Sequence, residues 1–188
     1  RRPPDADLLS MRPVLHAEAA PDFGDPLGLL SACHRRMVGF CELLSRMPSH
    51  LAKRGIDTEA LDAARRVVRY FDLAAPLHHL DEECDLFPLL TGTPPLGPLV
   101  DRLRAQHREL EREWLRLAEQ LRRLDDGVFE AAAFRDAAET FCRSCREHID
   151  TEETQLLPAA RSRLEPDQLR RLGQAMARRR GHETSAIQ

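Results

Sequence analysis

His78-His79-Leu80-Asp81-Glu82-Glu83-Cys84-Asp85-Leu86-Phe87-Pro88 returns seventy residues on as His148-Ile149-Asp150-Thr151-Glu152-Glu153-Thr154-Gln155-Leu156-Leu157-Pro158. Both copies read His-x3-Glu-Glu-x2-Leu-(Phe/Leu)-Pro. On a helix, residues four apart share a face, so each copy sets an imidazole beside a carboxylate. A single pair of this kind is usually a surface ion pair. Two copies, each inside a long apolar-periodic segment, read as a metal site built twice.

The repeat extends upstream. His34 precedes His78 by 44 residues and His107 precedes His148 by 41, so the chain is two similar halves, each His … His-x3-Glu. A repeat with the period of a helical hairpin and only two copies closes into one bundle and makes no solenoid.

With 188 residues, 42% of them hydrophobic, the chain is long enough for one domain with a sizeable core. Charged residues make up 31% and the net charge is −3, without the basic excess of a nucleic-acid surface. No apolar run approaches the roughly 18 residues of a membrane span, and no secretory signal is recognised. Five cysteines without a disulfide-like framework fit reduced thiols in a cytoplasm.

The segment 1–24 is rich in Pro, Ala and Asp without periodicity and reads as an extended N-terminal arm. The domain proper, 25–188, reads as all-α: an antiparallel up-down-up-down four-helix bundle with a short C-terminal helix. Helix A is predicted over 25–54, with Pro48 as a bend, and is broken by Gly55. Helix B is predicted from 57 or 58 to 90, with a kink at Pro76 just before His78. Helix C is predicted over 99–124 and helix D over 128–161, followed by a fifth helix over 166–180. The run Arg178-Arg179-Arg180 reads as a solvated helix C-terminus, where cations suit the dipole.

Each long helix carries a seam of alternating three- and four-residue spacings, the pattern of packed bundle helices. His34, His78, His107 and His148 all occupy seam positions, followed at i+4 by Glu82 and Glu152 in the second and fourth helices. Counted from the turns, all four imidazoles fall about 30 Å from the same end of the bundle. The competing reading is a set of hydrogen-bonded core histidines. Two buried carboxylates with no basic seam partner count against it, because unpaired buried charge is very costly.

Mixed imidazole and carboxylate ligands suit Fe, Mn, Zn or Co. Four His and two Glu exceed the needs of one tetrahedral zinc. Two ions bridged by Glu82 and Glu152, each capped by two His, use the set more naturally. The ferritin-like site needs Glu-x2-His, and no histidine here has Glu three residues before it.

Over about 25–161, these motifs resemble the hemerythrin-like (HHE cation-binding) family. The resemblance implies a non-haem di-iron centre, two iron ions bridged by Glu82, Glu152 and an oxo or hydroxo group, with zinc or manganese as substitutes. It implies a protein that binds or reacts with O2, NO or peroxide in sensing, storage or stress response, acting on a small diatomic ligand or peroxide and on neither nucleic acid nor membrane. Oxygen-carrying members have a second His one turn after the helix-C histidine, where this chain has Glu111. The four-His, two-Glu set is also similar to di-iron proteins of iron–sulfur cluster repair, whose paired-cysteine N-terminal module has no counterpart in 1–24. A metal-binding or interaction domain without turnover is the alternative of a different class.

Two further residues are candidates for the site: Glu111, one turn after His107, and His79, beside His78. Glu83 and Glu153 read as orienting neighbours or facing solvent. Cys41 and Cys145 read as small core residues and Trp114 as core packing, while His16, His50 and His182 are expected at the surface.

Overall fold

The computed structural model describes residues 22–92 and 95–182; the expected N-terminal arm, with His16, lies almost wholly outside them. Helix α1 (Pro26–Arg54) starts where Asp25 accepts the Gly28 N–H at 3.0 Å, with Pro26 at the first helical position. It ends at Gly55, whose φ of 72° closes the turn. Asp57 then caps α2 (Thr58–Leu80), accepting the Ala60 N–H at 2.9 Å. The same carboxylate oxygen accepts from His50 at 2.9 Å, so His50 is buried under the turn and not on the surface as expected.

The α-helix of α2 runs unbroken through Pro76. The irregularity lies further on, in a π-helical turn over Asp81–Leu86 that leads into α3 (Phe87–Thr91). The second motif does the same: α5 (Ala131–Thr151) passes through a π turn over Glu152–Leu156 into α6 (Leu157–Arg163). In each, the residue after the π turn bonds five residues back, Phe87 to the Glu82 carbonyl and Leu157 to that of Glu152. Pro88 and Pro158 explain the placement. A proline inside a helix lacks the N–H for the carbonyl four back and its ring presses on it, and a widened turn relieves both.

Between the motifs, α4 (Leu96–Arg123) begins three residues before the expected start, because Pro98 in a first turn forfeits no hydrogen bond. After α4 the chain closes a Schellman motif: Gly127, at φ 73°, bonds the Leu124 carbonyl and Val128 that of Arg123. This occupies Val128 and moves the start of α5 to Ala131. Helices α1, α2, α4 and α5 form the bundle, and the described residues contain no strand. No helix among them is long and apolar enough to cross a membrane.

The core has two apolar layers. One, towards the α1–α2 turn, holds Met37, Cys41, Leu44, Phe71, Ala75, Leu110, Trp114, Phe141 and Cys145. The other, at the opposite end, holds Leu30, Leu86, Phe87, Leu103, Leu156 and Met176. His34 stands between Leu30 and Met37, and His107 between Leu103 and Leu110. His78 and His148 separate Ala75 from Leu86 and Cys145 from Leu156. The seam is therefore apolar, then polar for one turn, then apolar again, at one height on all four helices.

Helix α7 (Pro166–Arg179) covers the second layer. It packs so close that a Cβ on Gly173 would lie 1.9 Å from the Phe23 carbonyl oxygen. Two of its terminal arginines are not solvated as expected. Arg179 pairs with Asp81 and, at 2.6 Å, with Asp85; Arg180 pairs with the other Asp81 oxygen at 2.6 Å. Asp81 is fully buried beside Glu82, so these guanidinium groups neutralise a charge that could not otherwise be there. Arg180→Ala should cost about 2 kcal/mol and lower the melting temperature by about 4–8 °C in a thermal scan. No change would mean that α7 does not dock through this pair.

Candidate metal centre

Six side chains meet in the polar layer, none more than 4% exposed: His34, His78, Glu82, His107, His148 and Glu152. The imidazoles form two pairs. His34 and His78 approach Nε2 to Nε2 at 3.1 Å, and His107 and His148 at 3.2 Å. Two nitrogens at about 2.1 Å from one ion and at right angles to each other would be about 3 Å apart. Each pair therefore has the spacing of neighbouring ligands on a common ion.

The carboxylates lie between the pairs. Glu82 directs Oε1 to His78 at 3.4 Å and Oε2 to His107 at 3.4 Å. Glu152 directs Oε2 to His34 at 3.0 Å and Oε1 to His148 at 3.2 Å. Each glutamate thus gives one oxygen to each histidine pair, the disposition of a bridge. Two metal-competent groups result, His34–His78–Glu82–Glu152 and Glu82–His107–His148–Glu152, sharing both carboxylates. All four carboxylate oxygens are buried without a hydrogen-bond partner. Buried carboxylates left without a partner need protons or a cation to compensate them. The donor set fits one.

The second glutamate of each motif works across the bundle. Glu153 accepts from His34 Nδ1 at 2.7 Å, and Glu83 from His107 Nδ1 at 2.7 Å. The Gln106 side-chain oxygen accepts from His148 Nδ1 at 3.1 Å. With Nδ1 donating outward, the Nε2 lone pair of these rings points to the centre. Each half therefore orients a ligand of the other, a cross-link that spacing along one helix does not reveal. Glu83→Ala or Glu153→Ala should weaken metal binding about 10–100-fold, measured by competition with a chelating dye. Wild-type affinity in both would show that these contacts orient nothing.

Glu111 is exposed and belongs to neither of these two His/Glu groups. His79 comes close, half-buried and stacked on His107 with ring centroids 4.0 Å apart. Among the other expectations, Cys41, Cys145 and Trp114 are in the core, Cys142 joins them, and His182 is exposed. The Trp114 indole donates to Asp72 at 3.0 Å.

A hemerythrin HHE cation-binding domain model matches residues 25–160. The chain belongs to this family. It is also similar to an uncharacterized protein of Haemophilus influenzae, 34% identical over 170 residues that cover 89% of this chain and 96% of that one. Membership makes this a metal-binding domain, and the buried His/Glu groups are where a hemerythrin-type domain of this sequence can hold metal.

Protons and metal compete for this hemerythrin-type cluster. Burial alone would push the His34 and His107 imidazoles down, but Glu152 and the other adjacent carboxylates outweigh it and raise both to about 10. Burial, with repulsion from Glu152, lifts Glu82 to about 8. Burial, with the charge on His34, holds His78 well below the usual imidazole range. At pH 7 the metal-free site therefore carries protons on His34, His107 and Glu82 that a metal must displace. Metal affinity should rise with pH up to about 10, where the His34 and His107 imidazoles have lost their extra protons, and loading at pH 7 should release these protons, measurable by calorimetry in buffers of different ionisation enthalpy. Binding without proton release would contradict the assignment of these three groups as ligands.

Proposed function

We propose that this is a two-iron hemerythrin-like protein that binds or reacts with a small molecule, O2, NO or peroxide, in sensing, storage or stress response. The observation that carries the reading is the pair of fully buried glutamates, each giving one oxygen to each histidine pair. His34 and His78 would hold one iron, His107 and His148 the other, with Glu82 and Glu152 shared. Zinc or manganese would fit the same donors. Bound iron supplies electron exchange and an acidic centre for a small oxygen or nitrogen ligand.

The chain's own residues prepare the site. Glu83 and Glu153 fix the imidazole rings, and apolar layers pack above and below them. Asp81, held by Arg179 and Arg180, anchors the π turn from which Glu82 projects. The near-balanced charge of −3 supports small-molecule partners over nucleic acid, and the five free cysteines support a cytoplasmic setting.

Anaerobic loading with ferrous iron followed by oxygen should produce ferric charge-transfer bands in the near ultraviolet. A colourless protein holding only zinc under these conditions would overturn the iron reading. Consumption assays with NO and peroxide separate a reactive centre from a domain that only stores metal, which would leave both untouched.

A further inference from the structure

Cys41, Cys142 and Cys145 are buried together between α1 and α5 and carry no disulfide. The Cys41 thiol is in hydrogen-bond contact with both of the others, and that of Cys142 also donates to the Cys41 carbonyl at 3.7 Å. Packing alone does not call for thiols here. By the chain's own repeat, counted from the histidines, Trp114 corresponds to Cys41, Asp72 to Cys142 and Ala75 to Cys145. One half thus fills the place with an indole bonded to Asp72, the other with three sulfurs in reach of one another.

One of the three can be reached. A pocket of about 370 Å³ has Cys145 in its lining, together with the exposed Leu80, Arg108 and Glu111. Cys41 and Cys142 do not line it. At roughly 30 Å³ for one water, it has room for a small polar oxidant. Contact with Cys142 would pull the Cys41 thiol down, but contact with Cys145 and burial outweigh it and raise the thiol well above its usual range. Contact with Cys41, and then burial, push the Cys142 thiol up as well. Both therefore stay protonated, and a reaction at the cluster begins at Cys145.

We propose that Cys145 and Cys41 form a reversible disulfide, written by a peroxide that enters through this pocket. The Cys145 sulfur attacks one peroxide oxygen, the O–O bond breaks, and the thiol proton leaves with the released hydroxide as water. The Cys41 sulfur then displaces the hydroxyl of the Cys145 sulfenic acid, and the Cys41 proton leaves with it as a second water. Each sulfur is oxidised by one electron, and the two peroxide oxygens are reduced by one each. Neither step leaves a charge behind in the core, where an unpaired charge would be costly. The bridge ties α1 to α5, seven residues after His34 and three before His148. A thiol reductant reverses it. Neither step uses the metal, so the pair works whether or not the two-iron reading holds.

The test uses the full chain carrying Cys84→Ser, which removes the exposed thiol, loaded with zinc, which does not reduce peroxide. After treatment with hydrogen peroxide, free thiols are alkylated and the chain is cut with trypsin. Cleavage after Arg143 separates Cys142 from Cys145. A peptide linking Cys41 to Cys145 should appear, two hydrogens lighter than its parts, and vanish on treatment with dithiothreitol. Cys145→Ala should lose the link and leave Cys41 free to alkylate. Cys41→Ala should stop at the Cys145 sulfenic acid, trapped as an adduct by a cyclic 1,3-dione.

If Cys41 and Cys145 both stay open to alkylation in excess peroxide, the proposal is overturned. A Cys41–Cys142 link that forms as readily in Cys145→Ala would overturn it too, as would a folded Cys41→Ala chain that yields no adduct. Far-ultraviolet helicity shows whether each variant folds. Should either fail to, the presence or absence of the linked peptide in the parent chain decides.

Discussion

Glu152→Ala should lower the metal content of the chain from two ions to one or none, whereas His34→Ala should leave at least one. The difference follows from geometry. Glu152 gives Oε2 to the His34 side and Oε1 to the His148 side, so its loss removes a donor from both positions at once. His34 serves only the group it shares with His78. A terminal imidazole lost from one position leaves the other with His107, His148 and both carboxylates. Metal analysis after identical reconstitution of the three proteins checks this. Two ions retained in Glu152→Ala would remove Glu152 as a bridge and promote its neighbour Glu153, now seen bonded to His34 Nδ1.

Removing the metal should lower the melting temperature by about 10 °C or more while far-ultraviolet helicity at room temperature largely survives. Two carboxylates without hydrogen-bond partners and four imidazoles then share a dry layer between two apolar ones. That layer costs several kcal/mol in desolvation and repulsion when nothing compensates it. Metal bound only by the folded chain adds roughly 4 kcal/mol at a thousandfold excess over its dissociation constant. At about 2–4 °C per kcal/mol for a domain of this size, the loss reaches about 10 °C. The helices persist because both apolar layers remain packed, in contrast to small zinc domains that unfold outright. A metal-free sample that melted no lower than the loaded one would mean that the six residues do not form a metal site.

The bundle was legible because its seams are regular and its turns carry glycine, and equal helix lengths from those turns set the four histidines at one height. What the sequence reading missed was local or crossed between helices. The kink expected at Pro76 is absent, and the turns widen instead before Pro88 and Pro158, prolines that both motifs share. Glu83 and Glu153 read as orienting neighbours or facing solvent, and they do orient neighbours, but which rings they hold is not legible, because their partners are on other helices and no single periodicity predicts the pairing. Arg179 and Arg180 looked solvated because Asp81, nearly a hundred residues earlier, is visible as their partner only once α7 folds back. His50 was missed for a nearer reason: the cap of α2 is also an acceptor for a side chain on α1.

The central claim is a pair of iron ions sharing Glu82 and Glu152. The most direct test is the iron and zinc content per chain of protein purified from iron-replete cells, measured by mass spectrometry against a quantified protein concentration. Two irons per chain, reduced to one or none by Glu152→Ala, is the result expected. A chain that holds no metal, or a single zinc that Glu152→Ala leaves in place, would contradict it.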